Sequence, residues 1–250
     1  MMREDAAAAV FKPAIITPYH SESLEVLRRC HESCLRQTVP ARHFMVADGK
    51  PRQELDAWDL EHLILPRAHG DYGNTPRGIG ALSAINQGYN PILFLDADNW
   101  YAEDHVEQAL ACKQANPDSD VVASSRHLVL PDGTLVAPDQ EDTNKQHIDT
   151  SCMTFYESSF FLLPFWCTMT KPLAVLGDRA MMTAMRQHKL KISWTDKQTL
   201  FYSTNYRHHY KRAGQEPPAE TYALNTTSLQ NFDSQQLWQW SRVRIILNKQ

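Results

Sequence analysis

Pro91-Ile92-Leu93-Phe94-Leu95-Asp96-Ala97-Asp98-Asn99-Trp100 is the stretch that decides the fold: a short, almost wholly apolar run ending in two aspartates spaced i, i+2. It is too short to cross a bilayer, which takes about 20 apolar residues. Unbroken apolarity over so few residues suits a strand buried on both faces, as in a parallel sheet covered by helices. Such sheets bind ligands at the carboxyl ends of their strands, where Asp96 and Asp98 fall. Alternate strand residues point the same way, so both carboxylates could reach one cation. Hard oxygen donors suit Mg2+ or Mn2+, ions that also take up substrate phosphates. The blander reading is two solvated acids opening a loop.

Upstream, residues 14–17 read as a strand stopped by Pro18. A helix follows with Ser21 or Ser23 as N-cap and Leu24, Leu27, Cys30, Cys34 and Leu35 at helical spacing, ending before Pro40. Residues 44–47 form a second strand, ended by Asp48-Gly49, which makes a right-handed βαβ unit. A short helix or turn at 55–60, a strand at 63–65, a loop at 69–76 and a helix at 79–86 stopped by Gly88 lead into the central strand. A helix at 102–115 ends at Asn116-Pro117. Beyond it the pattern changes: a strand at 121–123, a hairpin over 128–136, a polar loop at 138–146, strands within 150–163, a helix within 171–188 and a strand at 199–202. Residues 1–12 read as a loose arm and 212–218 as a loop. The expected organisation is one α/β domain over 1–250, with a nucleotide-binding half at 13–115, a substrate half at 116–225 and an amphipathic tail at 226–250.

Composition bounds the function. The chain has 250 residues, 42% hydrophobic and 22% charged, which implies a globular core. A net charge of -4 argues against general nucleic-acid binding. No apolar run approaches 18 residues, and the start lacks the long apolar core of a secretory signal. The five cysteines show no Cys-x-x-Cys spacing, so reduced thiols in a cytoplasmic protein are expected rather than a zinc site.

Four stretches together resemble the inverting glycosyltransferases of family 2, which have the GT-A fold. Ile16-Thr17-Pro18-Tyr19 with Glu22 resembles the family's opening strand and loop. Leu35-Arg36-Gln37-Thr38 is similar to the end of its first helix. Val46-Ala47-Asp48-Gly49 is similar to its Asp-Asp-Gly element, with Ala47 replacing the first acid. Gly73 to Gly80, with Arg77, leads into Leu95-Asp96-Ala97-Asp98 as the family's Ala-Arg-Asn-x-Gly helix leads into its Asp-x-Asp, and Gly78 stands where the family usually has Asn. The likeness is good over 13–110 and weak beyond.

The resemblance implies a Rossmann-like, mostly parallel sheet flanked by helices, with a smaller antiparallel or irregular acceptor half. It implies transfer of a hexose from a UDP-sugar to a sugar or lipid-linked hydroxyl, in polysaccharide or glycoconjugate biosynthesis. Asp98 would hold the divalent cation, with Asp96 on metal, water or ribose, and Ala97 lies between them. Arg77 could bond phosphate or base, or form a surface ion pair. Thr17, Pro18, Tyr19 and Glu22 would shape the base pocket, and Asp48 would accept the base imide N–H. Asp71 could join them or be a turn former. The family's general base is an acid at the start of a late helix. Asp178 in Leu176-Gly177-Asp178-Arg179 is the first choice, although Gly replaces the usual Glu and an N-cap is the alternative; Asp149 is the second. His209 is expected as a further metal ligand, with His147 competing. Trp100 could stack on an acceptor sugar or be a core residue. The tail could lie on the inner face of a membrane, pack as a helix, or form a homodimer contact. Two other readings stand beside this one: a non-catalytic nucleotide-sugar or carbohydrate-binding module, and a haloacid-dehalogenase-like phosphotransferase.

Overall fold

Four parallel strands build the first half of one sheet: β1 (Ala14–Tyr19), β2 (Arg42–Asp48), β3 (Glu61–Leu65) and β4 (Ile92–Phe94). They lie in the order β3-β2-β1-β4, so their carboxyl ends open on one edge. The computed structural model describes residues 11–136, 145 and 147–222. All six residues of β1 are buried, as a strand covered on both faces requires. Ile16, Phe44 and Val46 pack with Ala81 and Ala84 of helix α2 (Asn74–Asn86). The alternate residues Met45 and Ala47 pack with Leu27 of α1 (Leu24–Leu35) on the other face. A Cβ at Gly80 would lie 2.6 Å from Ile16 Cγ2, so a glycine there lets α2 press on the sheet.

The second half adds β5 (Trp100–Tyr101), α3 (His105–Ala115), β6 (Val121–Val129), β7 (Leu135–Val136), β8 (Met153–Phe155), α4 (Phe165–Thr168), α5 (Lys171–Ala174), α6 (Gly177–Gln187), β9 (Ile192–Ser203) and α7 (Arg207–Arg212). The full order is β3-β2-β1-β4-β8-β6-β9-β5, with β7 also on β6. Thus β4 is interior, parallel to β1 and antiparallel to β8. The later pairings are antiparallel except β6–β9. One edge of β6 meets β8 at residues 121–123 and β7 at 128–129, which leaves Ser124 to His127 between them.

Several elements depart from the sequence reading. Pro18 continues β1 to Tyr19 instead of stopping it. Leu95 donates to the Ile16 carbonyl, so the positions 16 and 18 face β4; that strand has ended at Pro18, and no ladder bond is lost. Helix α2 starts at Asn74, inside the expected loop. Asp71 accepts from Thr75 N at 2.9 Å, and Pro76 falls in the first turn, where a missing N–H is harmless. Residues 150–163, expected as strands, hold only β8 between the 3-10 turns Thr150–Cys152 and Glu157–Leu162. The single helix expected within 171–188 is broken at Val175-Leu176 into α5 and α6. Strand β9 is far longer than expected because its exposed Asp196-Lys197-Gln198 segment hides the period. Ser23 caps α1, accepting from Val26 N, and Gly88 at φ 79 closes α2 as expected. No helix among the described residues is long and apolar enough to cross a membrane. The tail 226–250, most of the arm at 1–12 and nearly all of the loop at 138–146 lie outside the described residues.

Candidate active site

A cleft of about 740 Å3 runs along the carboxyl ends of the parallel strands. Pro18, Tyr19, Glu22, Asp48, Asp71, Arg77, Asp96, Ala97, Asp98, Asp149 and Asp178 all line it. Thr17, Trp100 and His209 do not. Among the described residues that line it seven are Asp or Glu, and Arg77 is the one Lys or Arg.

The turn after β4 is held from several sides. Asp96 N donates to Ser151 Oγ at 3.1 Å, Asn99 N donates to the Asp96 carbonyl at 3.0 Å, and Arg29 Nη2 donates to the Asp98 carbonyl at 2.9 Å. Arg77, almost fully buried, puts Nη2 2.5 Å from Asp96 Oδ1 and Nη1 2.9 Å from Asn74 Oδ1. Its guanidinium lies 4.9 Å from the centre of the buried Trp166 ring. The sequence left open a phosphate contact or a surface ion pair. Arg77 is buried rather than at the surface, and its pair with Asp96 holds that acid at the cleft. Asp98 is open to the cleft, yet its carboxyl is pushed up to about 7, first by the protein packed around it and then by the neighbouring Asp96.

This arrangement fits a divalent cation. Asp96 and Asp98 are hard oxygen donors side by side, and no second Lys or Arg lines the cleft among the described residues. Among the described residues no group of three His, Cys, Asp or Glu could hold a metal. His209 does not join them: it is buried on α7, hydrogen-bonded through Nδ1 to Thr204 Oγ1 at 2.7 Å and packed on His208.

The nucleotide end is more enclosed than expected. Tyr19 is only 2% exposed, its ring stacked on His62 and its hydroxyl 2.6 Å from His62 Nε2, so it borders the cleft without offering a free face. Glu22 accepts from His20 N and Ser21 N and shapes the loop. Asp48 accepts from His69 N and His69 Nδ1, at 3.0 and 2.7 Å. Asp71 braces the start of α2 as well as lining the cleft. Thr17 points to the α1 face, 2.9 Å from His43 Nε2, and so lies behind the site. Ala47, which replaces a family acid, is fully buried against Leu27 and Leu55, where a carboxylate would sit unpaired in an apolar pocket.

The far wall carries both candidate bases. Asp149 is 2.7 Å from Arg126 Nη1 and caps a 3-10 turn through Ser151 N; burial raises its pKa, against the pull of Arg126. Arg126 reaches it from the stretch of β6 between β8 and β7. Asp178 is not an N-cap: it lies in the first turn of α6, behind Leu176, and accepts from Arg179 N. Its other oxygen is 2.6 Å from His147 Nε2, so His147 serves Asp178 rather than the acid turn. Burial pushes the Asp178 carboxyl up, but His147 and Arg179 outweigh it and hold the pKa below the usual carboxylate value.

Both family departures in this region meet one side chain. A Cβ at Gly78 would lie 2.4 Å from Cys167 Sγ and 3.1 Å from Trp166 Cβ. A Cβ at Gly177 would lie 2.8 Å from Asn74 Oδ1 and 3.0 Å from Trp166 Cζ3. Trp166 was not singled out by sequence; no spacing distinguishes it within the aromatic run 160–166. Tyr72, Tyr202, Tyr206 and Tyr222 also line the cleft and were missed, since isolated tyrosines carry no periodic signal. Trp100 is turned away at the sheet edge, stacked on Phe201 at 5.5 Å with Arg29 over its ring.

Comparison with known proteins agrees with this geometry. The family described as "Glycosyl transferase family 2" matches residues 14–173. The crystal structure of S. aureus TarS 1-349 in complex with UDP superposes with a TM-score of 0.60 at 17% identity, covering 80% of this chain and 63% of that one. The same protein in complex with UDP-GlcNAc gives a TM-score of 0.56 at 15% identity, with 80% and 61% covered. The chain thus spans about three fifths of the length of these structures. At such identity the likeness establishes the fold, a mixed α/β sheet flanked by helices. No curated protein sequence matches the chain.

Proposed function

The chain belongs to glycosyl transferase family 2, and from that premise we propose that the cleft transfers a hexose, with inversion, from a UDP-sugar to a sugar or lipid-linked hydroxyl. The haloacid-dehalogenase-like reading falls with the family match. The observation that carries the proposal is the charge of the cleft. Among the described residues seven acids line it, and the one guanidinium among them is engaged by Asp96. A diphosphate enters such a site only in company with a cation. That the related TarS structures hold UDP and UDP-GlcNAc supports a nucleotide-sugar donor.

Asp98, with Asp96, would hold Mn2+ or Mg2+, which when bound neutralises charge on the leaving diphosphate as a Lewis acid. Arg77 and Ser151 keep Asp96 in place. Asp48, oriented by His69, keeps acceptor capacity for a base N–H. The acceptor oxygen attacks the anomeric carbon as the bond from that carbon to the diphosphate oxygen breaks. Asp178, held ionised, takes the hydroxyl proton. Because it is a weak base, proton transfer follows as the attacking oxygen becomes acidic, not before.

The test is calorimetry with UDP and Mn2+, followed by release of free UDP from a panel of UDP-sugars. Metal-dependent binding with slow donor hydrolysis is expected. Tight binding without hydrolysis of any donor would instead favour a binding module, a reading kept open by the engagement of Asp149 with Arg126 and of Asp178 with His147.

A further inference from the structure

Three tyrosines from separate parts of the chain line the same cleft. Tyr72 precedes α2, Tyr206 caps α7, and Tyr222 pairs its backbone with Tyr206. The Tyr206 and Tyr222 rings lie 6.1 Å apart at 58°. Tyr72 is 70% exposed and Tyr222 63%, unusually open for large rings. Tyr72 also adopts φ 58, a left-handed backbone that a bulky residue rarely takes. None of the three hydroxyls has a hydrogen-bond partner among the described residues. They share the cleft with Asp178, and that carboxylate is among the groups that raise the Tyr206 pKa, after burial.

Exposed aromatic faces rimmed by unpartnered hydroxyls match one class of molecule: a ring with an apolar face and polar edges. Among the other aromatic residues, Tyr202 also lines the cleft but carries the Arg126 guanidinium 4.6 Å from its ring centre. Tyr19 is shut against His62, and Trp100 is stacked on Phe201 away from the cleft. We propose that Tyr72, Tyr206 and Tyr222 form the acceptor platform, on which a pyranose ring stacks and turns one hydroxyl toward Asp178. The role of Asp178 rests on the glycosyl-transfer reading above; the platform itself rests on the tyrosines. Tyrosine suits the task because it gives a rigid amphipathic surface at little conformational cost.

The experiment uses the full chain with UDP and Mn2+ and, as probes, the methyl pyranosides of glucose, galactose and N-acetylglucosamine, read by saturation-transfer NMR. At least one pyranoside should bind. Tyr72→Asn, which suits the left-handed backbone, and Tyr206→Ala should each weaken it about tenfold. Tyr206→Phe should keep most of the affinity, and UDP–Mn2+ affinity should hold in all three variants. Absence of binding by every pyranoside, or binding unchanged in both ring-removing variants, overturns the platform. So does a parallel loss of UDP affinity, which would place the tyrosines on the donor. Pyranoside binding that depends on Tyr72 and Tyr206 in a protein that never binds UDP–Mn2+ would keep the platform and reject the donor assignment.

Discussion

On the floor of the cleft, Asp48 and Asp96 stand at the ends of parallel strands, so sheet geometry alone brings them to one edge. On the far wall, Asp149 and Asp178 stand on a 3-10 turn and a broken pair of helices, and side-chain contacts fix their places. The floor is built from backbone periodicity and the wall from individual partners. Substitutions on the floor should therefore change what binds, and those on the wall should change what happens to it.

The sharpest test of that division is Asp178→Asn. Transfer should fall by about 10²- to 10⁴-fold, the usual worth of a general base, with UDP–Mn2+ affinity unchanged by calorimetry. Wild-type transfer by this variant would refute the base assignment. Asp98→Ala should do the opposite, lowering metal-dependent UDP affinity by about 100-fold or more. UDP binding that persists equally with and without Mn2+ would sink the floor's role.

Arg77→Ala removes one partner of a buried pair, which destabilises by about 3–5 kcal/mol when both charges are buried. Asp96 keeps 33% of its side-chain surface, so the lower end is expected, read from urea denaturation. Gly78→Asn restores the family residue and should cost about 1–3 kcal/mol through overlap with Cys167 and Trp166. Adding Cys167→Ala should recover part of the loss; no recovery would mean that the overlap is not the cause. The smallest effect is on pH. A carboxyl held low in the folded state stabilises above its unfolded value, and that stability is lost as pH falls through the folded value. His147→Asn should therefore flatten the loss of stability as the pH falls through and below the usual carboxylate range, read from urea titrations.

The same division explains what the sequence revealed. The apolar run into Asp96, the βαβ unit and Asp48-Gly49 were legible because a covered parallel strand leaves a continuous apolar signature. Asp178 and Asp149 were found by family likeness, but their partners His147 and Arg126 were not assigned to them, since contacts 31 and 23 residues apart leave no local pattern. His209 drew attention as chemistry, whereas Tyr206, three residues before it, lines the cleft. Trp100 follows the acid turn in sequence but is carried away by pairing with β9.

Trp166 touches Gly78 on one side and Gly177 on the other, beneath Arg77. The two departures from the family motif therefore flank the same residue, Gly78 beside its Cβ and the Cys167 thiol, Gly177 beside its ring edge and Asn74. A chain with asparagine and glutamate at those positions would have to move Cys167 from the one and Asn74 from the other, and Asn74 is the residue that steadies the second arm of the Arg77 guanidinium.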